Sequence, residues 1–243
     1  MRLDKFLADA GCGTRSEVKE MVRRGRVSVN GMAVRDSGAN VSESDDIRVS
    51  GMQLTPPENG GSHWYMLNKP AGIVSAVSDS RDDTVIGLFK NEKVRNLATV
   101  GRLDKDTEGL LLVTDDGALT HFLLSPKKHV SKVYYARVNG ILRPEHIEIF
   151  RNGVEFKEFT SMPAGLEILS TDAANNSSEA MITVCEGKFH EVKRLVAHVG
   201  CEVTYLRRVS FGPLKLDTQL QPGEYRMLSA REIELLKEAV GKA

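Results

Sequence analysis

The sequence is poor in several things, and each shortage narrows what the protein can be. It carries three cysteines, Cys12, Cys185 and Cys201, an odd number with no C-x-x-C spacing. A disulfide framework and a thiolate zinc site are therefore not its organising device, and all three thiols read as small buried hydrophobes. Its six histidines are scattered, with no H-x-x-x-H pair, so no metal site is expected. No apolar run approaches the ~20 residues that span a bilayer. The opening MRLDKF lacks the apolar stretch of a signal peptide, and a cytoplasmic protein with no membrane role is expected. The larger part of the chain lacks both GxGxxG and GxxxxGK[ST], the Gly-rich loops that cradle phosphates. Net charge is absent too, with 33 Lys and Arg against 33 Asp and Glu.

What is present is an ordinary globular balance, 41% apolar and 27% charged, over 243 residues. That length is comfortable for two cores. Charge is unevenly spread. Residues 1–35 hold eight basic side chains (Arg2, Lys5, Arg15, Lys19, Arg23, Arg24, Arg26, Arg35) against four acidic ones. Such asymmetry makes a basic face without a basic total. The stretch QLTPPENGGSHW (53–64) is rich in proline, glycine and polar residues and reads as a linker. It separates a first domain, 1–55, from a second, 64–243, with 56–63 as the connector.

In the first domain, Leu3, Phe6, Leu7 and Ala10 fall at helical spacing and Gly11 and Gly13 stop the helix. Thr14 or Ser16 caps a second helix with Val18, Met21 and Val22 on its apolar side. RVSVNGMAV is a hairpin around an Asn-Gly turn, and IRVSG (47–51) adds a strand. The arginines and lysines on and after the second helix suit RNA phosphates. Their composition is equally compatible with an ordinary solvated face.

The second domain shows recurrent short strand patterns: WYMLNKP, GIVSAV, ATVGRL, GLLLVT, KVYYARVNG, AGLEILS, EAMITVCEG, EVTYLRRVSFG and EYRML. Helical patterns are fewer: LTHFLLS, PEHIEIFRNG, HEVKRLVAHVG and AREIELLKEAV. Many strands without strict βαβ alternation predict an α+β fold with a mixed, largely antiparallel sheet.

The tetrapeptide RLDK occurs twice, at Arg2–Lys5 and Arg102–Lys105. In the first copy Leu3 opens the helical stripe, and Asp4 is expected on the polar side near the helix N-terminus. In the second, helical periodicity ends after Leu103. KDTEG is polar, LLLV is a buried strand and TDDG is its closing turn. Asp104 is thus expected at the mouth of a polar loop between apolar strands, a common place for reactive groups. Yet Asp104, Asp106, Glu108, Asp115 and Asp116 lie within thirteen positions, and spacing does not single one out.

GRLDKDTEGLLLVTDDG resembles the catalytic signature of the pseudouridine synthases, in the small-subunit rRNA branch called the RsuA family. Further strings follow in that family's order. RLDKFLADAG and TRSEVKEMVRRGRVSVNG resemble its S4-like RNA-binding domain. YMLNKPAGIVSA, KVYYARV, EGKFHEVKRLVAHVG and LQPGEYRMLSAREI resemble successive parts of its catalytic domain.

The resemblance implies an enzyme that isomerises uridine to pseudouridine in ribosomal RNA, acting on a flipped-out nucleotide. No nicotinamide, flavin, metal or other cofactor is needed, because the isomerisation has no net redox change. The essential aspartate falls on Asp104. The tyrosine that packs on the target base falls on Tyr134, with Tyr135 adjacent. The basic partner of the aspartate falls on Lys193, with Arg194 beside it as a substitute. Opposite charge within ~4–6 Å favours a carboxylate, which suits that pairing. Implied RNA contacts are Arg2, Lys5, Arg15, Lys19, Arg23, Arg24 and Arg26, with Arg102 beside the aspartate and Arg194. SPKKHVSKVYY, the short chain and the lack of a long basic tail favour small-subunit RNA; nothing in the sequence demands a dimer, and a monomer is expected. A large-subunit uridine and a non-catalytic rRNA-binding assembly factor are the alternatives.

Overall fold

A computed structural model describes residues 1–9, 12, 15–42, 45–54, 62–92, 94 and 96–241. The readings made on Ala10, Gly11, Gly13, Thr14 and residues 56–61 lie outside them. The chain divides into two compact units, Met1–Ser62 and His63–Ala243.

The first unit opens with helices α1 (Leu3–Asp9) and α2 (Arg15–Arg23). Their apolar stripes meet as the spacing predicts. Leu3, Phe6, Leu7, Val18 and Val22 are buried together with Val27, Val41 and Ile47. Strands β1 (Val27–Val29), β2 (Met32–Ala33), β3 (Ile47–Val49) and β4 (Met52–Leu54) form an antiparallel sheet in the order β2-β1-β3-β4. Both of its hairpins turn on two residues with positive φ, Asn30-Gly31 and Ser50-Gly51, the type I′ geometry that matches strand twist. The second hairpin was not expected, because QL reads as the start of the linker. Asp4 also departs from expectation. It is buried, not on a polar face, and takes a fork from Arg2 Nε and Nη2 at 3.1 and 2.9 Å.

The second unit is built on strands β5 (Trp64–Lys69), β6 (Ala98–Thr99), β7 (Glu108–Thr114), β8 (Lys132–Asn139), β9 (Gly165–Asp172), β10 (Ser177–Val184), β11 (Glu202–Phe211), β12 (Leu214–Lys215) and β13 (Tyr225–Met227). They run in the order β13-β5-β7-β11-β8-β10-β9, with β12 on β11 and β6 on β7. The β7–β11 pairing is parallel and the others are antiparallel, so the sheet is mixed and largely antiparallel, as expected. Helices α3 (Gly117–Leu124), α4 (Pro144–Asn152), α5 (Glu191–His198) and α6 (Ala230–Ala239) cover it.

Alternation along β5 and β7 explains their unbroken apolar runs. Trp64, Met66, Leu110 and Leu112 pack with Leu119, Leu123 and Leu236 of α3 and α6. Tyr65, Leu67, Leu111 and Val113 face the opposite side, against Val85, Phe89 and Leu97. A strand buried on both faces has no polar positions to alternate. A further core joins β8, β10 and β11 to α4 and α5 through Ala136, Ile182, Phe150, Leu195 and Val196.

Three local readings differ. GIVSAV forms no strand, only a bridge from Val74 to Thr84. TDDG does more than turn, since Asp116 caps α3 by accepting from Leu119 N–H at 2.9 Å. Cys201 is buried, whereas Cys12 and Cys185 are partly exposed.

Candidate active site

The polar segment 102–107 connects the end of the β6 region to β7, and its conformation is fixed from outside. The Ser75 hydroxyl donates to Leu103 C=O at 2.9 Å and lies 3.1 Å from Leu103 N–H. Gly72 N–H donates to Lys105 C=O at 2.8 Å, and Thr107 N–H donates back to Asp104 C=O at 3.1 Å. Lys69, the last residue of β5, is fully buried. Its ammonium donates to the carbonyls of Pro70, Lys105 and Thr107 at 3.0, 3.3 and 2.9 Å. Three donors meet three acceptors, so the buried charge is fully hydrogen-bonded. Burial nevertheless pulls the Lys69 ammonium down to about 8, against the opposing pull of Asp106, Glu108 and Asp104.

Just beyond the loop, Gly109 has φ +99°, and a Cβ there would lie 2.2 Å from Arg208 C=O of β11. Only glycine lets β7 approach β11 so closely. Arg208, itself buried, braces the seam by donating from Nε to Leu110 C=O at 2.7 Å.

The loop presents Asp104 to α5. Lys193 Nζ lies 3.2 Å from Asp104 Oδ2 and donates to both oxygens of Asp106 at 2.7 and 2.9 Å. Burial pulls Lys193 down, but its bonds to Asp106 and Asp104 outweigh that and hold it above the ordinary lysine range. The same bond from Lys193 keeps Asp106 below the usual carboxylate range. His190 Nε2 lies 3.6 Å from Asp104 Oδ1. His190 occupies the N-cap position of α5 with φ 52°, ψ 32° and no capping bond from its side chain, a left-handed conformation uncommon for a side-chain-bearing residue.

Asp104, Lys193 and His190 line one cleft of about 70 Å³. Leu103, Val184, Val192 and Leu206 supply its apolar walls, and Tyr134 of β8 stands among them. The strand period separates Tyr134 from Tyr135. Tyr135 points to the other face, with its ring edge-on to Tyr205 at 6.1 Å. The cleft also holds Glu186 and Glu191, both buried. Glu186 accepts from Met162 N–H at 2.6 Å and Glu191 from Lys188 N–H at 3.2 Å. Burial, and then the Glu186 charge and hydrogen bond, push Glu191 up to about 7.

Among the sequence candidates, the fold brings Asp104, Tyr134, Lys193 and Arg102 together at this cleft. Arg102 is exposed at the rim. Arg194 is not a substitute for Lys193. It is paired with Glu158 and lies over the rings of Phe156 and Phe159, 4.6 and 4.8 Å from their centroids. In the first unit, Arg15, Lys19 and Arg26 are exposed and Lys5 is half-buried. Arg23 and Arg24 both hold Glu20, at 2.5 and 2.8 Å, and Arg2 holds Asp4. Sequence reasoning missed Lys69, Ser75, His190 and the Glu186–Glu191 pair. Only Lys69 carried a signal, a charged residue closing the apolar run WYMLNKP.

Comparison with known proteins gives matches over both units. Residues 63–198 match the family described as RNA pseudouridylate synthase, and residues 1–47 match the S4 domain. An uncharacterized RNA pseudouridine synthase of Bacillus subtilis (strain 168) is 42% identical, covering 98% of this chain and 99% of that protein. A ribosomal small subunit pseudouridine synthase A of Vibrio parahaemolyticus is 37% identical over 96% of this chain and 98% of its own. A ribosomal large subunit pseudouridine synthase B of Bacillus subtilis is 34% identical over 97% and 95%. Among solved structures, a crystal structure of a pseudouridylate synthase is similar, with TM-score 0.68, 35% identity and coverage of 97% and 99%.

Proposed function

The chain belongs to the RNA pseudouridylate synthase family, and from that premise we propose that it isomerises a uridine of small-subunit ribosomal RNA, with Asp104 as its catalytic carboxylate. The observation that carries the reading is the Asp104–Lys193 pair at 3.2 Å in a cleft walled by Tyr134. In the reaction the N1–C1′ bond of uridine breaks and the base turns. A C5–C1′ bond forms, C5 gives up its proton, and N1 acquires one. Atoms and electrons balance without a co-reactant.

The carboxylate of Asp104 acts on the ribose as the glycosidic bond breaks. Lys193 holds Asp104 and Asp106 in register and supplies the counter-charge. Tyr134 offers a flat face to the extruded base. Stacking of that kind is worth ~1–3 kcal/mol, comparable to the few kcal/mol of unstacking a nucleotide. Arg102 takes the RNA backbone at the rim. In the first unit, the exposed Arg15, Lys19 and Arg26 contact phosphates, with Lys5, Arg2, Arg23 and Arg24 alongside. The proposal includes action as a monomer in the cytoplasm.

The similarity to a large-subunit synthase supports a second reading, the same reaction on a large-subunit uridine. One experiment separates them: tritium release from C5-labelled small- and large-subunit RNA, each free and partly assembled, with wild type and Asp104→Asn. Release from small-subunit RNA alone, abolished in Asp104→Asn, is the expected result. Release from large-subunit RNA alone transfers the proposal to that substrate. No release from either overturns the enzymatic reading in favour of an assembly factor.

A further inference from the structure

The segment Lys188–Phe189–His190 borders the candidate active site, yet neither Phe189 nor its stacking enters the reaction just described. Phe189 is 74% exposed, and among the described residues it is the one aromatic side chain among the large apolar groups left in solvent. Single exposed apolar residues are ordinary; the position of this one is not. Its ring lies parallel to that of His190, with centroids 3.7 Å apart and planes 18° from parallel. His190 in turn stands 3.6 Å from Asp104. A stack of rings therefore starts at the candidate catalytic carboxylate and ends in water, with one face of Phe189 covered and the other open. The left-handed backbone of His190 puts the two neighbouring rings in this register.

From this geometry we propose that the open face of Phe189 is a second base site, taking the nucleobase next to the target uridine in the RNA strand. The proposal rests on the functional reading above and adds a contact to it. Its physical reason is the gap that extrusion creates. When a nucleotide leaves the stack, its neighbour loses a stacking partner, part of the few kcal/mol that flipping costs. A fixed aromatic ring beside the cleft replaces that partner for any base, since every base has a π-face. The surroundings fit a nucleotide and not an apolar partner. Arg102 stands exposed on the cleft that His190 also lines, and Lys188 lines it too, with its ammonium 5.4 Å from the centroid of the Phe159 ring, so the site beside the stack carries positive charge suited to RNA phosphates.

The test uses the full chain and RNA oligonucleotides spanning the uridine that wild type converts, identified first by modification mapping. Phe189→Ala should raise KM about 5–150-fold, the equivalent of ~1–3 kcal/mol of stacking, with kcat changed less than about threefold. Phe189→Trp should retain the wild-type KM. The decisive arm replaces the base on the 5′ or 3′ side of the target by an abasic site. On one side, wild type should lose the same factor and Phe189→Ala should lose nothing further. Truncating an exposed ring leaves the melting temperature unchanged, so lost folding does not mimic the result. An unchanged KM in Phe189→Ala, or a loss undiminished on both abasic substrates, overturns this inference and leaves the functional reading standing. A wild type that converts no uridine overturns both.

Discussion

The two copies of RLDK place the same four residues in opposite circumstances. At Arg2–Lys5 the aspartate is satisfied within the tetrapeptide, by a fork from Arg2. Its copy is the opening of a helix packed on a small core. At Arg102–Lys105 the arginine stays at the rim, and the aspartate is met from far along the chain by Lys193 and His190. The loop around it is tied down by Lys69, Gly72 and Ser75 from a third segment. An aspartate whose partner is two residues away is a structural element. One whose partners arrive from other elements, with part of its surface left open, is available to a substrate. The difference lies in the origin of the partners, which a tetrapeptide does not encode.

The sharpest way to break this comparison is to make one change twice. Asp104→Asn should abolish tritium release and leave RNA binding within about twofold. Asp4→Asn should lower the melting temperature and leave kcat unchanged, because it loosens a local fork. Comparable losses of kcat in both would erase the distinction.

Next in size is Lys193→Met. Removing the ammonium leaves Asp104 and Asp106 facing each other, and a kcat loss on the order of 10²-fold is expected. Asp106→Asn should cost less than about fivefold, since Asp106 is largely exposed, with its side chain 73% accessible. Single-turnover rates on the mapped substrate separate the two. An Asp106→Asn loss as large as that of Lys193→Met would make Asp106 an equal member of the site.

A smaller effect belongs to the second copy's surroundings alone. Glu191, raised to about 7 by burial and by Glu186, binds more protons folded than unfolded between pH ~4.5 and 7. Stability is therefore lost as pH rises through that window and stays reduced above it. Glu191→Gln keeps the hydrogen bond to Glu186 without the charge. It should flatten the pH dependence of melting and gain ~1–3 kcal/mol at pH 8. Parallel melting curves from pH 5 to 8 for wild type and Glu191→Gln would refute a Glu191 raised by its surroundings.

The smallest effect is expected in the first unit. Arg15→Ala combined with Lys19→Ala should weaken RNA binding and reduce the salt slope by roughly 0.7–0.9 per lost phosphate contact. An unchanged slope would remove these two side chains from the RNA interface.

How much of this was legible in the sequence depended on how local the cause was. The stripes of α1 and α2, the Asn-Gly hairpin and the buried run of β7 follow from spacing and turn chemistry within a few residues. Strand β4 escaped because its partner, β3, decides its state, while its own letters run into a proline- and glycine-rich stretch. GIVSAV alternates like a strand, but Val74 donates its N–H to Asp83 C=O and accepts from Val85 N–H, and its serine is spent on Leu103. In the site, the polar loop was readable, whereas resemblance to a family singled out Asp104 from four acidic neighbours. Ser75 and His190 act through contacts across 28 and 86 positions of the sequence, a separation no local pattern records.

The parallel seam between β7 and β11 has a further consequence. It pairs only Glu108 with Arg207 and Gly109 with Arg208, yet it joins β13-β5-β7 to β11-β8-β10-β9. Asp104 is carried by the first group of strands, and Tyr134 and Lys193 belong to the second. The seam is thus the datum from which both sides of the cleft are measured. Gly109 sets its thickness, so an added methyl there would widen the gap between the proposed catalytic carboxylate of Asp104 and the Tyr134 face proposed to receive the base, while every side chain at the site remained intact.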